Sequence, residues 1–289
     1  MHISELNIYP IKSLAGISVE AAMVEERGLR YDRRWMLTTP DGMFFTQREF
    51  PRMATMSVWI EEDGSGLGVA ADRFGDVFVP MNADSDKRQD VTIWGSVCEG
   101  AVYGAALNEW FSDVLGTNCQ LVKMPDDSRR DINEIFNKGD EVVSFADGYP
   151  LLVIGEESLG DLNMRLRQAG MLAAPVPMNR FRPNIVVAGS DAYAEDDWKR
   201  IRAGNAEFRS TKPCARCVMT TVDQSKGEFD GKDPLKTLAS YRMAKDVMPE
   251  RIAPFGMTDT AVLFGQNLVG ESVGASISVG DEIEVVESF

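Results

Sequence analysis

The sequence predicts an α+β protein rich in β-barrel structure. Three features predict it: many short runs of β-forming residues punctuated by Gly, Asn and Pro, few helical stretches, and apolar–polar alternation near the C-terminus. At 289 residues the chain exceeds the usual size of one domain, so two domains or one large one are expected. A boundary near residue 120 divides it into an N-terminal β-barrel domain, 1–120, and a second domain, 121–289.

The elements follow in order. Residues 3–9 read as a strand, limited by Pro10. Arg34–Thr39 and Met43–Gln47 flank Pro40-Asp41-Gly42, and an Asp-Gly turn between two such runs predicts a hairpin. Residues 55–103 are strand-rich, with Gly64, Gly66, Gly75 and Asn82 as turn points. Ala105–Leu115 is helical: Leu107, Trp110, Phe111, Val114 and Leu115 share one face, and Gly116 suits the stop. Leu121-Val122 begins new strand material. Residues 125–141 read as a polar loop with a short helix. Tyr149–Ile154 is an apolar strand, and Ser158 is placed to cap a helix running through Leu159, Leu162 and Leu166 to about Gln168. Phe181–Ala188 reads as a strand, and Ile277–Val279 with Ile283–Val285 reads as a closing hairpin around Gly280-Asp281.

Composition removes several function classes. Hydrophobic residues make up 44% of the chain, enough for a core, and the formal net charge is −15. That charge argues against general nucleic-acid binding and against an anionic membrane surface. Neither a signal peptide at Met1-His2-Ile3-Ser4-Glu5 nor an apolar run of about 18 residues is expected, so a cytoplasmic, reducing setting is the default. The single histidine, His2, lies at the chain end, which disfavours Ser-His-Asp and Cys-His catalysis and His-based metal sites. Basic residues nevertheless recur beside the motif-like segments: Lys12, Arg33, Arg34, Arg180, Arg182, Lys212 and Arg216. Singly they suit solvated ion pairs; together they suit an anion site.

The most informative stretch is Lys212-Pro213-Cys214-Ala215-Arg216-Cys217, followed by the β-rich Val218–Val222. Two of four cysteines lie three residues apart with an arginine between them. Nearby positive charge favours the thiolate, the form that binds metals or attacks as a nucleophile. CxxC alone is ambiguous. A structural zinc site would have to recruit Cys98 and Cys119, which are not spaced as a second pair. A thioredoxin-like dithiol should open a helix, and β-rich residues follow instead. Inert buried thiols fit poorly beside Lys212 and Arg216, which are costly to desolvate unpaired. Tyr9-Pro10-Ile11-Lys12-Ser13, Asp32-Arg33-Arg34-Trp35 and Arg182-Pro183-Asn184 carry polar groups of the kind that hold ligands. Glycine-rich phosphate loops are lacking, which disfavours a nucleotide bound through one.

Taken in order, these segments resemble the MOSC proteins that bind molybdenum cofactor, in the branch of the mitochondrial amidoxime reducing component and its bacterial relatives. The resemblance runs through Tyr9–Ser13, Asp32–Trp35, Phe145–Leu152, Asp161–Asn163, Asn179–Val187, Cys214–Asp223, Pro234–Arg242 and Leu263–Gly265. It implies a β-barrel-rich MOSC fold with an N-terminal MOSC-type β-barrel domain. It implies Cys217 as the protein thiolate ligand of molybdenum, a choice over Cys214 that spacing alone does not make. It implies that Lys12, Ser13, Arg33, Arg182 and Asn184 hold the pterin and its phosphate, that Ala215 and Arg216 line the metal site, and that Asp147, Gly148 and Tyr149 contact the cofactor. Asn267 falls where relatives carry an aromatic contact. The family reaction would be two-electron reduction of small N-hydroxylated substrates: R–NHOH, two electrons and two protons give R–NH₂ and water. The chain stops at Phe289 without the cysteine set of a ferredoxin domain, so electrons are expected from a separate protein, ferredoxin-type or cytochrome b5-type with an NAD(P)H reductase. The competing expectation is a non-catalytic cofactor carrier or sulfur-transfer adaptor, because the fold also ends cofactor sulfurases.

Overall fold

A computed structural model describes residues 1–170 and 175–289. It is an α+β structure built mostly of curled sheets. The largest sheet has eight strands in the order Ile17–Val19, His2–Ile8, Ile185–Ala188, Leu151–Gly155, Leu263–Gly270, Ala206–Ala215, Trp198–Ala203, Ile283–Ser288. A four-stranded sheet orders Trp35–Thr38, Gln120–Lys123, Ser96–Val102 and Arg88–Ile93. Smaller sheets pair Ser57–Ile60 with Gly66–Ala71 and Gly75–Pro80, and Ser276–Ser278 with Ala21–Glu25 and Gly28–Leu29. Separate apolar cores fill them, one around Trp35, Phe111 and Leu121, another around Leu6, Ile201 and Phe208.

The helix Ala105–Leu115 forms over the expected residues, burying Leu107, Phe111, Val114 and Leu115, with Gly116 closing it in the left-handed conformation. The Asp-Gly turn also forms, with Gly42 donating to Thr39 O at 2.9 Å and Phe45 to Leu37 O at 2.9 Å. Its second arm makes isolated bridges, Phe44 with Thr38 and Met43 with Thr92, rather than a full strand.

Five expectations are corrected. The stretch 125–141 contains no helix; it is a loop bridged at Asp131–Val142. The helix placed at Ser158 begins earlier, at Glu156, with Gly155 as N-cap. Ser158 is buried within its first turn and donates to the Glu195 carboxylate at 2.8 Å, which also accepts the Gly155 N–H at 3.3 Å. A buried carboxylate from elsewhere in the chain therefore does the capping that a local side chain was expected to do. Only Ile185–Ala188 of the Phe181–Ala188 run is strand; Met178–Arg180 is a 3-10 turn and Arg182 has φ 55°. Val218–Thr221 is also a 3-10 turn, because Thr220 and Thr221 hydroxyls bond back to the carbonyls of Cys217 and Val218. Finally, Ser276–Ser278 and Ile283–Ser288 do not pair with each other. They turn at Gly280-Asp281 but join different sheets, against Ala21–Glu25 and Trp198–Ala203.

Candidate functional site

The turn after the first strand is tight. Ser13 has φ 70°, and Lys12 donates its N–H to Trp35 O at 2.7 Å while Trp35 returns one to Pro10 O at 3.1 Å. This buries the Lys12 side chain and aims its ammonium at Asp147, 2.5 Å away. Burial alone would raise the Asp147 carboxyl. Lys12, Arg48 and the Trp94 indole N–H outweigh it and hold the group well below the usual carboxylate range. The loop carrying Asp147 is held from beneath by buried Arg130, whose guanidinium donates to the carbonyls of Ser144 at 2.8 Å, Ala146 at 2.5 Å and Asp147 at 2.7 Å. Gly148 lines the cleft with nothing within 4 Å of where a Cβ would stand.

A second wall rests on Tyr9. Its ring lies between two guanidiniums, Arg33 at 4.3 Å and Arg182 at 4.2 Å, and its hydroxyl donates to Pro183 O at 3.0 Å. Arg33 is fixed by Asp32 at 2.7 Å and by Asn184 Oδ1 at 2.9 Å. Asn184 is buried and spends its amide inside the protein, accepting from Leu152 N and donating to Asn7 O. It lines the cleft, but its pull on a ligand is exerted through Arg33. Arg182 is the opposite case. Burial pushes its guanidinium down to about 10, and its Nη2 is buried without a hydrogen-bond partner.

The third wall is the end of the long strand Ala206–Ala215. Pairing with Leu263–Gly270 carries the chain to Ala215, and Arg216 N donates to Val262 O at 2.7 Å. The Arg216 guanidinium donates to Phe264 O at 2.7 Å and Phe181 O at 3.0 Å, leaving Nη2 buried and unpartnered. Gly265 permits this: φ is +79°, and a Cβ there would stand 2.7 Å from Ile154 Cγ1 and 2.8 Å from Val153 O. Asn267 donates to Lys212 O at 3.0 Å, tying the same two strands.

The two thiols are not equivalent. Cys214 packs against the core around Phe181 and Phe264, and burial pushes its thiol up. Cys217 heads the 3-10 turn, and its Sγ accepts from Arg48 Nη2 at 3.1 Å. The arginine between the cysteines is therefore not the one on the sulfur; Arg216 faces backbone carbonyls, and Arg48 comes from the N-terminal half. Cys98 and Cys119 lie in two other cores, all four cysteines are free, and no group of three or more His, Cys, Asp or Glu among the described residues is arranged to hold a metal.

Together these walls enclose a cleft of about 200 Å³ lined in part by Cys217. All twelve residues singled out from the sequence line it: Lys12, Ser13, Arg33, Asp147, Gly148, Tyr149, Arg182, Asn184, Ala215, Arg216, Cys217 and Asn267. Arg180 joins them, paired to Asp230 at 2.7 Å. Arg34 and Lys212 do not: Arg34 pairs with Asp126 at 2.9 Å, and Lys212 lies over Tyr149 in an adjoining groove. Sequence reasoning missed Arg48, Arg130 and Trp94. Trp94 stacks on Arg48 at 4.6 Å and donates to Asp147 Oδ1 at 3.3 Å. None of the three stands in a motif; each reaches the site only through a sheet or loop closed by distant pairing. The arrangement suits an anionic, multi-acceptor ligand. Four donors of cleft-lining residues, Arg180 Nε, Arg182 Nη2, Arg216 Nη2 and the Tyr149 hydroxyl, are buried with no protein acceptor. A soft sulfur donor, Cys217, lines the same cleft.

Residues 1–118 match the family described as MOSC N-terminal beta barrel domain, and residues 140–284 match the MOSC domain. The mitochondrial amidoxime reducing component 2 of Bos taurus is 36% identical over 290 residues, covering 97% of this chain and 82% of that protein. Component 1 of Mus musculus is 35% identical, covering 97% of this chain and 81% of that protein. A molybdenum cofactor sulfurase of Oryza sativa subsp. japonica is 34% identical over 85% of this chain, but over 31% of its own length.

Proposed function

This chain belongs to the MOSC family, and from that membership and the cleft at Cys217 we propose that it is a molybdenum cofactor-dependent reductase of small N-hydroxylated substrates, such as amidoximes, hydroxylamines and N-hydroxylated bases. Its cofactor is the molybdenum cofactor, and the cleft fits that group by an observation independent of family. Three buried guanidinium nitrogens and one buried hydroxyl of cleft-lining residues lack acceptors in the protein, and an anionic cofactor rich in oxygen and nitrogen acceptors suits them.

In this reading Cys217 is the protein ligand of the metal. Lys12, Ser13, Arg33 and Arg182 hold the phosphate and pterin, with Asn184 orienting Arg33. Arg216 and the backbone at Ala215 line the metal end, while Asp147, Gly148 and Tyr149 form the facing edge. Asn267 maintains the strand pairing behind them. When bound, the cofactor supplies the two-electron chemistry that reduces N–OH to N–H with loss of water. The chain's own groups position and do not protonate. Asp147 stays ionised against Lys12, and burial weakens Cys214 as an acid. His2 pairs with Ala188 and does not line the cleft. Protons therefore arrive with water entering the open cleft. Electrons come from a separate partner, ferredoxin-type or cytochrome b5-type with its NAD(P)H reductase.

The observation that carries the proposal is the pairing of Cys217 Sγ with unfilled cationic donors in one cleft. The match to a sulfurase over a third of that protein's length favours a second reading, a cofactor carrier or sulfur-transfer adaptor. One experiment separates them. The protein is produced in a host competent for the cofactor, and molybdenum and pterin are measured for wild type and Cys217→Ala. An amidoxime is then supplied with an artificial reductant. About one molybdenum per chain, lost in the variant, with amine formed by wild type, supports the reductase. Cofactor bound without amine supports the carrier.

A further inference from the structure

Trp94 is costly to the fold and does little for it. It forms the tip of the hairpin between Arg88–Ile93 and Ser96–Val102, with φ 54°. A bulky side chain in that left-handed region is disfavoured; Gly, Asn or Asp usually stand there. Half of the side chain is open to solvent, at 50% exposure, so little apolar area is buried in return. Yet the ring is held firmly. The Arg48 guanidinium covers it at 4.6 Å, Phe44 meets it edge-on at 5.2 Å, and its Nε1–H reaches Asp147 Oδ1 at 3.3 Å. Through Arg48, which donates to Cys217 Sγ at 3.1 Å, the indole stands one guanidinium away from the sulfur.

Trp94 also lines the groove of about 300 Å³ that adjoins the cleft, and the two cavities share Asp147, Gly148 and Tyr149 as a common ridge. The cleft itself is lined by guanidiniums, and its aromatic residues are occupied. Phe181 is buried, and Tyr149 is engaged by Phe136 and Lys212. The exposed, preoriented indole is thus a flat apolar surface in the groove that adjoins the cleft.

We propose that Trp94 is a specificity-determining residue, which selects substrates whose N-hydroxyl group is borne on a flat conjugated body, such as an aryl amidoxime or an N-hydroxylated base, by stacking that body on its exposed face. The inference rests on the proposed reduction of N-hydroxylated substrates. A ring already fixed by three neighbours loses little freedom on stacking, so the contact contributes to affinity rather than to folding.

The test measures equilibrium binding of benzamidoxime and acetamidoxime to cofactor-loaded protein with no electron source, for wild type, Trp94→Ala and Trp94→Phe. Wild type should favour the aryl ligand. Trp94→Ala should lower the aryl-to-alkyl affinity ratio roughly three- to tenfold, by loss of one aromatic contact, with both affinities expressed per molybdenum-loaded chain. Trp94→Phe should recover most of the ratio. With reductant added, the loss should appear in KM for the aryl substrate and not in kcat. An unchanged ratio in Trp94→Ala overturns the proposal. So does equal loss for both ligands, which would make Trp94 only a support for Arg48 and Asp147, and so does failure of Phe to recover the ratio. If the ratio falls as expected while wild type reduces neither ligand, the selection by Trp94 stands and the reductase reading fails.

Discussion

Replacing Arg182 by Met should leave the cofactor-free protein as stable as before, or slightly more stable, while cofactor retention falls. Burial pushes the guanidinium from its ordinary, higher range down to about 10, with Tyr9 opposing the fall and Arg33 adding to it. The folded protein therefore holds this proton less tightly than the unfolded chain does. The resulting cost is fully present below about pH 10 and vanishes only as the pH rises from there through the ordinary arginine range. At about 1.4 kcal/mol per pH unit, the upper bound at neutral pH is about 3 kcal/mol. The side chain is only partly buried in an open cleft, so water brings this to about 1–2 kcal/mol. Methionine forfeits the stacking on Tyr9, worth about 0.5–1 kcal/mol. The balance lies between zero and about 1.5 kcal/mol in favour of the variant, a rise in Tm of at most about 3–6 °C. Thermal unfolding of cofactor-free protein gives the first number, and molybdenum per chain after purification gives the second. A lowered Tm with molybdenum content unchanged would refute the reasoning, because Arg182 would then serve the fold and not the ligand.

Four further outcomes follow from the same geometry. Cys217→Ala should abolish molybdenum retention with little change in Tm, since among the described residues its sulfur accepts one hydrogen bond, from the Arg48 guanidinium, whereas Cys214→Ala should keep molybdenum and lose about 1 kcal/mol of packing; equal molybdenum loss in both would contradict Cys217 as the one ligand. Arg130→Met strands three carbonyls that now accept from it, so unfolding in urea should show a loss of about 2–4 kcal/mol and the loop at Asp147 should be cut faster by protease. Gly265→Ala introduces a Cβ against Val153 O and Ile154 at positive φ, which should cost at least about 2 kcal/mol; a variant as stable as wild type would show that the strand can shift there. Burial, reinforced by Asp196, pushes the Glu195 carboxyl from 4.5 up to about 7, so the folded protein binds this proton more tightly than the unfolded chain. Stability should fall as the pH rises between those values, by no more than about 3 kcal/mol, and Glu195→Gln, compared with wild type at pH 5 and pH 8, should remove that part of the slope.

How much of this was legible in the sequence depends on the range of the interaction that decides each feature. The helix Ala105–Leu115 was readable because its apolar face and Gly116 stop are both written within eleven residues and one cap. Lys12, Arg33, Arg182 and Arg216 were readable as a set, since each is a charge beside a turn or a strand end that has no local reason to be there. The Asp-Gly turn was readable, but the extent of its second arm was not, because strand length depends on an available partner edge. The same limit explains Ile277–Val279 and Ile283–Val285. Their alternation announces strands, but each finds its hydrogen bonds on a different sheet far away in sequence. Local alternation defines which face is buried and leaves the choice of partner open.

By itself, then, the sequence determined the class of the fold, the helix that is locally coded, the family, and twelve of the residues that line the cleft. Only the tertiary structure decided which of the two thiols lining the cleft carries a guanidinium on its sulfur. It also brought in Arg48, Arg130 and Trp94, and it replaced Ser158 by Glu195 as the cap of the helix at Glu156. The physical reason is common to these cases. A charge, a hydrogen-bond donor or a stacking ring acts over a few ångströms of space, and the chain brings such groups together from more than a hundred residues apart, as with Arg48 and Cys217. Periodicity and propensity extend over a turn or a strand, so they specify the parts but not their neighbours.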